Sequence, residues 1–344
     1  MAGRPAHLAI VGATGAAGRA LLQALEESDL EVATLRLLAT ERSAGAELDF
    51  RGELRRVEAV DERAFDGLDL ALLAVPPAVS REWGARAWSR GCAVVDLSPA
   101  FRLDPEVPLV VPELNPDSVV QFRRRGVVAT PGAGAVQLAL VLAALEAAAG
   151  VERVVVSTCV AVSGAGQRAI EELEQQTRAM MAFQEPPEPV AVPQRVAFNL
   201  VPQVGAFAAD GSTEEERCLV EETRRLLGAG APRISATAIH VPLFYGISQV
   251  VNVRTARPLS AGAARDALRG ARGVKVVDDP AQGVYPMPML AVNDEAVLVG
   301  RIREDASQDR GLDLLVVADN LRRGAAATAL GVAQLLLERH LASH

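Results

Sequence analysis

The chain has 344 residues, a formal net charge of −8 and 50% hydrophobic residues. The acidic balance argues against a nucleic-acid partner, and the length predicts two domains or one large one with a full apolar core. Three cysteines without a CxxC pair or metal-ligand spacing predict reduced thiols, no metal and a cytoplasmic protein. The longest apolar stretch, 138–145, is too short to span a membrane, so we expect no membrane partner.

The first element is an apolar run over 8–11 that ends in a glycine-rich turn, with a helical pattern directly after it. Glycines spaced three apart let the backbone approach a phosphate, and the helix N-terminus supplies free N–H groups. An ordinary strand–helix turn is the alternative, but the position directly after an apolar strand favours dinucleotide binding. The predicted cofactor-binding residues in this turn are Gly12, Thr14, Gly15, Ala16, Ala17 and Gly18.

A second apolar strand over 34–39 leads into Thr40, Glu41, Arg42 and Ser43. In dinucleotide-binding folds this position reads the adenosine ribose: an acid favours a free 2′-hydroxyl and an arginine favours a 2′-phosphate. Thr40, Arg42 and Ser43 therefore indicate NADP, whereas Glu41 indicates NAD. A solvated charged loop without a ligand is the alternative.

The rest of the first half alternates apolar strands with a helix. Continuous apolar runs at 68–75, 92–97 and 126–129 predict strands buried on both faces, and 79–90 has a helical pattern. Short links between such units predict a doubly wound parallel sheet, and hence a Rossmann-like NADP-binding domain over 1–130.

The pattern changes after Gly150. Strands are predicted at 153–162, 233–243, 247–256, 273–277, 295–302 and 311–318, with helices at 167–183, 213–227 and 261–272. Thr213 is the predicted N-cap of the second of these helices. We expect an α+β dimerisation domain with a mixed sheet over 131–318. A long helix over 321–341 closes the chain in the segment 319–344.

Seven segments carry a family resemblance, in order along the whole chain: 12–18, 96–102, 110–115, 163–166, 198–202, 299–303 and 319–326. Together they resemble the aspartate-semialdehyde dehydrogenase family. The resemblance implies an NADP-binding Rossmann domain, an α+β domain of catalytic and dimerisation type, a homodimer, and a final helix that packs back on the first domain. It also implies cofactor contacts from Ser163, Gly164, Gly166 and Asn320.

In that family a cysteine thiolate attacks an aldehyde or acyl phosphate, a histidine moves the proton, and hydride passes to or from NADP. Pro131 and Gln137 keep the register of the family's cysteine loop, which puts Ala133 at the position of the nucleophile. A methyl group cannot form a thioester.

Other positions of the family's active site have changed in the same way. By the resemblance, Val160 replaces a glutamine, His240 the arginine that binds the substrate carboxylate, Ile247 the proton-transfer histidine and Cys218 a lysine of the phosphate site. The replacement pattern resembles the Usg proteins, a catalytically degenerate branch of the family. We therefore expect a dimeric protein without enzymatic activity that has NADP or a metabolite as its ligand.

The resemblance keeps a substrate-like pocket of Arg102, Gln137, Glu215 and His240. Two alternatives stay open for function. One is an active NADP-dependent oxidoreductase on a carbonyl or acyl substrate, with direct hydride transfer in place of a covalent intermediate. The other is an authentic aspartate-semialdehyde dehydrogenase, against which the missing cysteine argues. Cys159 could serve as a displaced nucleophile, but a small buried side chain at a strand end is the more ordinary role of a free cysteine.

Overall fold

The computed structural model describes residues 5–341. They fall into two compact units: unit 1 comprises the chain up to Gly132 together with the segment from Ala325 onward, and unit 2 comprises Ala133–Gly324. Each unit contains one β-sheet. The domain limits predicted from the sequence, after 130 and after 318, lie slightly earlier in the chain.

Unit 1 is built on a seven-stranded sheet with the strand order β3-β4-β2-β1-β5-β6-β7. Every neighbouring pair in it is parallel except β3 and β4, so the predicted doubly wound sheet is confirmed. Helices α1 (Ala16–Glu26) and α2 (Pro77–Ser89) follow β1 and β5. The strands are β1 (Ala6–Val11), β2 (Val32–Ala39), β3 (Glu47–Phe50), β4 (Glu53–Ala59), β5 (Leu70–Leu73), β6 (Ala93–Asp96) and β7 (Val127–Ala129).

The hairpin of β3 and β4 was not predicted. Its two-residue turn, Arg51 and Gly52, has positive φ at both positions (55° and 79°), as a type I′ turn requires. Most side chains of β4 are exposed and charged, so the strand has no apolar run that marks it in the sequence. The hairpin extends the sheet beyond β2, and β4 pairs with β2 in parallel.

Unit 2 contains a six-stranded mixed sheet with the order β11-β12-β13-β10-β8-β9. Two of its pairs, β8–β9 and β11–β12, are parallel and the others are antiparallel, which confirms the predicted mixed sheet. The strands are β8 (Val151–Val160), β9 (Arg233–His240), β10 (Ile247–Thr255), β11 (Val274–Val276), β12 (Val297–Glu304) and β13 (Gly311–Ala318).

Five helices belong to unit 2, in the part of the chain that the structure describes. The predicted cap of α5 is confirmed: the Thr213 hydroxyl accepts from the Glu216 N–H, and the Glu216 carboxylate accepts from the Thr213 N–H at 2.6 Å. The short α7 was not predicted. The helices are α3 (Ala133–Ala149), α4 (Gln167–Met181), α5 (Glu214–Leu227), α6 (Ala261–Arg269) and α7 (Pro288–Ala291).

Helices cover one face of this sheet. Helices α3, α5 and α6 pack against its strands, and on β10 the inward-facing Gln249, Val251 and Val253 are completely buried. Val250, between them on the opposite face, is 55% exposed. Because β10 is a central strand, the exposure of Val250 shows that the second face of the sheet is open to solvent at this position.

The predicted C-terminal helix returns to unit 1, as expected. It is not one regular helix: wide π-type turns over Arg322–Ala327 and Leu337–Leu341 flank the α-helix α8 (Thr328–Leu336). Apolar residues of α8 and of the turn before it complete the core cluster of unit 1 that contains β1 and α1. Within residues 5–341 no helix is long and apolar enough to cross a membrane.

Candidate functional site

The turn after β1 holds its backbone so tightly that two of its glycines have no room for a side chain. An added Cβ at Gly12, where φ is +86°, would lie 2.3 Å from the Ala74 carbonyl oxygen. An added Cβ at Gly18 would lie 2.1 Å from the Gly12 carbonyl oxygen. Gly15 differs, because an added Cβ there would meet only the Gly12 oxygen at 3.4 Å. The glycine spacing therefore brings α1 close against the end of β1.

The first turn of α1 presents unpaired backbone donors. Gly15 is the N-cap and provides no side-chain acceptor, and no acidic side chain lies in the first turn. The N–H groups of Ala16, Ala17 and Gly18 have no acceptor among the described residues. Three free donors at the positive end of the helix dipole suit a pyrophosphate, so the turn fits a dinucleotide. Thr14, also predicted to bind the cofactor, accepts a hydrogen bond within the turn: its carbonyl oxygen lies 3.1 Å from Arg19 Nε.

The loop after β2 lies at the same edge of the sheet, because the N–H groups of Gly12 and Ala13 both donate to Leu38 in β2. The backbone over Glu41–Ser43 forms a 3-10 turn. Within residues 5–341, the side chains of Thr40, Arg42 and Ser43 make no hydrogen bond or ion pair. The loop therefore has donors available for a ligand beside the glycine turn.

Arg102 lies in the loop after β6, and backbone carbonyl groups hold its side chain. Its Nε donates to Thr130 at 3.0 Å and its Nη2 to Leu97 at 2.7 Å. Buried Asp96 fixes the start of this loop, since its carboxylate accepts from the hydroxyls of Ser80 and Ser98. Burial raises the pKa of Asp96, against the opposing effect of these hydrogen bonds.

In unit 2, three of the five residues predicted to replace family active-site groups, Ala133, Val160 and Ile247, lie in one apolar cluster. Ala133 starts helix α3 and packs against it, and Val160 and Ile247 are directly opposite each other on antiparallel strands β8 and β10. We call this set the alanine-centred cluster; its buried members are Val160, Val204, Ala238 and Ile247, and the partly buried Ala133 packs against them. No polar side chain of the described residues belongs to it, so the cluster itself offers no charged or hydrogen-bonding side chain.

His240 ends β9 next to this cluster, beside Val160 of β8. The imidazole is 4% exposed and its Nδ1 lies 3.3 Å from the Val160 carbonyl oxygen, a contact that requires Nδ1 to carry a proton. Burial lowers the pKa of His240. A neutral ring protonated at Nδ1 leaves Nε2 as an acceptor. His240 is therefore a neutral base in this position rather than a cation.

Polar side chains lie near the first turn of α3, around Gly134. Gln249 of β10 donates through Nε2 to the Gly134 carbonyl oxygen at 3.1 Å, and Glu215 Oε1 lies 3.6 Å from where a Cβ on Gly134 would be. Gln137, one helical turn further on, is 1% exposed, and neither atom of its amide has a hydrogen-bond partner among the described residues. Sequence reasoning missed Gln249; a polar residue in an otherwise apolar inward series is the signal that could have found it.

A hydrogen bond joins Asn320 directly to the turn over 163–166. The Asn320 side-chain oxygen accepts from Ser163 Oγ at 3.1 Å and from the Gly246 N–H at 2.7 Å. Gly164 lies close to Val160, while Gly166, with φ of +93°, borders open space. These predicted cofactor contacts thus form one local hydrogen-bonded group in unit 2.

Two of the three cysteines, Cys92 and Cys159, are not activated thiols. Burial raises the pKa of Cys159, and it raises the pKa of Cys92 to about 12. A thiol with a raised pKa carries little thiolate at neutral pH. No group of three or more metal-binding side chains occurs in the stretch from 5 to 341.

A parallel sheet with a glycine turn at its first strand, joined to a mixed-sheet unit, defines a two-domain nucleotide-binding protein of the dehydrogenase type. Family models match both parts: the semialdehyde dehydrogenase NAD binding domain over residues 7–122 and the semialdehyde dehydrogenase dimerisation domain over 142–323. The chain belongs to the semialdehyde dehydrogenase family.

Relatives along the full length carry the name of an enzyme. Aspartate-semialdehyde dehydrogenase of Aquifex aeolicus is 43% identical over 97% of this chain and 99% of its own. The Synechocystis protein of the same name is 40% identical over 97% of this chain and 98% of its own. The prediction that this chain lacks enzymatic activity is therefore wrong. The relatives named here also give no support to a Usg protein, so the resemblance holds at the level of the family.

Solved structures agree in fold over nearly the whole chain. Aspartate semialdehyde dehydrogenase II from Vibrio cholerae has a TM-score of 0.94 at 36% identity, covering 98% of this chain and 100% of that one. A second structure of that enzyme, complexed with ASA, has the same TM-score and identity, and covers 99% of that chain.

Proposed function

We propose that this chain is an NADP-dependent oxidoreductase that acts on a small semialdehyde or related carbonyl compound. The observation that carries the proposal is the 43% identity to a named aspartate-semialdehyde dehydrogenase over 97% of the chain. The free N–H groups at the start of α1 and the unpaired Arg42 and Ser43 support NADP as the cofactor. When bound, the nicotinamide supplies or takes up a hydride.

The residue at position 133 restricts the chemistry. Ala133 has no nucleophilic atom, and the cysteine on the neighbouring strand, Cys159, has a raised pKa. We therefore propose direct hydride transfer without a covalent enzyme intermediate: the bound nicotinamide would supply the hydride to the carbonyl carbon, and solvent water would supply the proton to its oxygen, to give an alcohol. His240, whose Nε2 has no hydrogen-bond partner within residues 5–341, Gln137 and Glu215 are the proposed polar groups of the substrate site in unit 2.

The second candidate is the reaction for which the relatives are named, in which an acyl phosphate is the oxidised product. The names of the full-length relatives favour it. Dependence on phosphate separates the two reactions, because only the second one incorporates phosphate into its product.

The test is an assay of purified wild-type protein with aspartate semialdehyde, in both directions of the cofactor and with or without inorganic phosphate. Saturable oxidation of NADPH without phosphate is expected from direct transfer. Phosphate-dependent reduction of NADP would favour the second candidate. The absence of saturable turnover under every condition, with a panel of small aldehydes included, would overturn the proposal. The variant Cys159→Ser should be as active as the wild type.

We also propose that the chain is a homodimer, formed through the open face of the sheet in unit 2. The match to a dimerisation domain and the exposure of Val250 on a central strand support this interface. Pairing of the same patch across a two-fold axis is the commonest arrangement. Val250→Glu should give monomers in light scattering, whereas Leu54→Glu in unit 1, at another exposed position, should remain dimeric. A monomeric wild-type protein at micromolar concentration would contradict the proposal.

A further inference from the structure

We infer that Arg56 is a second specificity-determining cation for the 2′-phosphate of NADP, beside Arg42. The inference rests on the proposed function, because it concerns how the same cofactor is selected. It comes from the β3–β4 hairpin, which the sequence did not reveal.

The position of Arg56 is the first observation. Its Nη2 lies 3.9 Å from where a Cβ on Gly45 would be, so the guanidinium group lies beside the loop that follows β2. Strand β4 is bonded to this loop by its backbone, since the Gly45 N–H donates to Val57 at 2.9 Å and the Val57 N–H donates to Ala46 at 2.8 Å. The backbone bonds fix β4 beside this loop, and the exposed guanidinium group of Arg56 lies next to the segment that carries Arg42 and Ser43.

The absence of an internal partner is the second observation. Among residues 5–341, neither Arg56 nor Arg42 makes a hydrogen bond or an ion pair. Two carboxylates are close in the sequence or the sheet: Glu41 in the 3-10 turn and Glu47, the cross-strand neighbour of Arg56. Neither of them forms an ion pair with the two arginines within the described chain. Both cations are thus available to an added anion.

Position and donor groups together suit a phosphate monoester. Two guanidinium groups with the hydroxyls of Thr40 and Ser43 provide planar, multiply donating contacts for its oxygens. The charges of Glu41 and Glu47 balance those of Arg42 and Arg56, so the four groups together are neutral. The inference of NADP therefore rests on the two unpaired guanidinium groups as donors, since neither carboxylate forms an ion pair with them within residues 5–341.

Arg55 provides a matched control. It is the preceding residue of the same strand, so its side chain points to the opposite face of the sheet. It pairs with Glu53 at 2.6 Å and is likewise exposed. Arg55→Ala removes the same charge from nearly the same place without removing a group from the loop.

The experiment measures the affinities of the wild type, R56A, R55A and R56K for NADP and NAD by calorimetry, and for the fragments 2′,5′-ADP and 5′-AMP. R56A should bind NADP and 2′,5′-ADP about fivefold more weakly, as expected for one exposed charge contact. Its affinities for NAD and 5′-AMP should not change. R55A should match the wild type, and R56K should recover part of the loss.

Two results would overturn the inference while the proposed function stands. One is unchanged binding of NADP by R56A, and the other is an equal loss for NADP and NAD, which would indicate a role in the loop's structure. A wild-type protein that binds neither dinucleotide would overturn the proposed function together with it.

Discussion

The glycine turn of unit 1 and the alanine-centred cluster of unit 2 are built in opposite ways. In the turn, backbone N–H groups point outward and side chains are excluded at two positions, since added Cβ atoms at Gly12 and Gly18 would lie 2.1 to 2.3 Å from carbonyl oxygens. The cluster is built instead from packed apolar side chains, among them Val160 and Ile247. A site made of backbone is recognisable from glycine spacing, whereas a site made of side chains changes with each substitution.

The largest expected effect tests the backbone-built site. Gly12→Ala should lower the free energy of unfolding by about 3 kcal/mol, because φ is +86° and the new methyl group would meet the Ala74 carbonyl. Gly15→Ala is the control and should cost less than about 1 kcal/mol, since its φ is −76° and its surroundings are open. Urea denaturation measures both. Similar losses for the two variants would remove the distinction between packed and open glycines.

The stability of the alanine-centred cluster should fall when a side chain in it loses volume. Ile247→Ala should cost about 3 kcal/mol, because it leaves a cavity in a cluster where Ile247 is 4% exposed. Val250→Ala, on the same strand but on the open face, should cost less than about 0.5 kcal/mol in the monomer. NADP affinity, measured by calorimetry, should be the same in both variants. A change of affinity in Ile247→Ala would mean that the two sites are not independent.

Variants at Asn320 and Ser163 test a region of unit 2 in which a backbone N–H and a side-chain hydroxyl share one acceptor. Asn320→Ala should cost about 2 kcal/mol, because it leaves the Gly246 N–H and the Ser163 hydroxyl without their acceptor. Ser163→Ala removes only one donor and should cost about 1 kcal/mol or less. Denaturant titration distinguishes them. Equal costs would show that the bond to Gly246 contributes nothing.

The smallest effect is a dependence of stability on pH. Burial lowers the pKa of His240 in the folded protein, so the unfolded chain takes up a proton first as the pH falls. The stability associated with the neutral ring is therefore complete above the unfolded pKa near 6.5 and is lost as the pH falls from there toward the folded pKa. Between pH 7.5 and 5.5, His240→Gln should show a shallower fall in the free energy of unfolding than the wild type. An identical slope would contradict this account.

The sequence predicted the parts of the fold that depend on apolar continuity. The buried strands β5 and β6 and the capped helix α5 follow directly from their residues. The hairpin of β3 and β4 was not predictable, because an exposed edge built from Glu53, Arg55 and Arg56 lacks an alternating pattern.

The candidate site divides in the same way. The glycine turn was predictable from spacing, and its predicted ligands remain predictions until a nucleotide is bound. Gln137 was predicted as a pocket residue by the resemblance, but Gln249 was not, and the unpaired amide atoms of the two side chains within residues 5–341 appear only when the surrounding chain is known. The prediction of no activity, drawn from the residues at five positions of the family's active site, is wrong, because relatives named as the enzyme match the chain along its full length.

The return of α8 to unit 1 has a consequence for biosynthesis. Residues such as Ala329, Val332 and Leu336 belong to the same core cluster as Leu8 and Ile10 of the first strand. A ribosome releases the N-terminal end of the chain long before these residues have been translated. Unit 2 is continuous in sequence and can fold while synthesis proceeds, but the first-made strands must wait for the last-made helix. During that interval the nascent unit 1 exposes apolar surface that a holding chaperone would recognise.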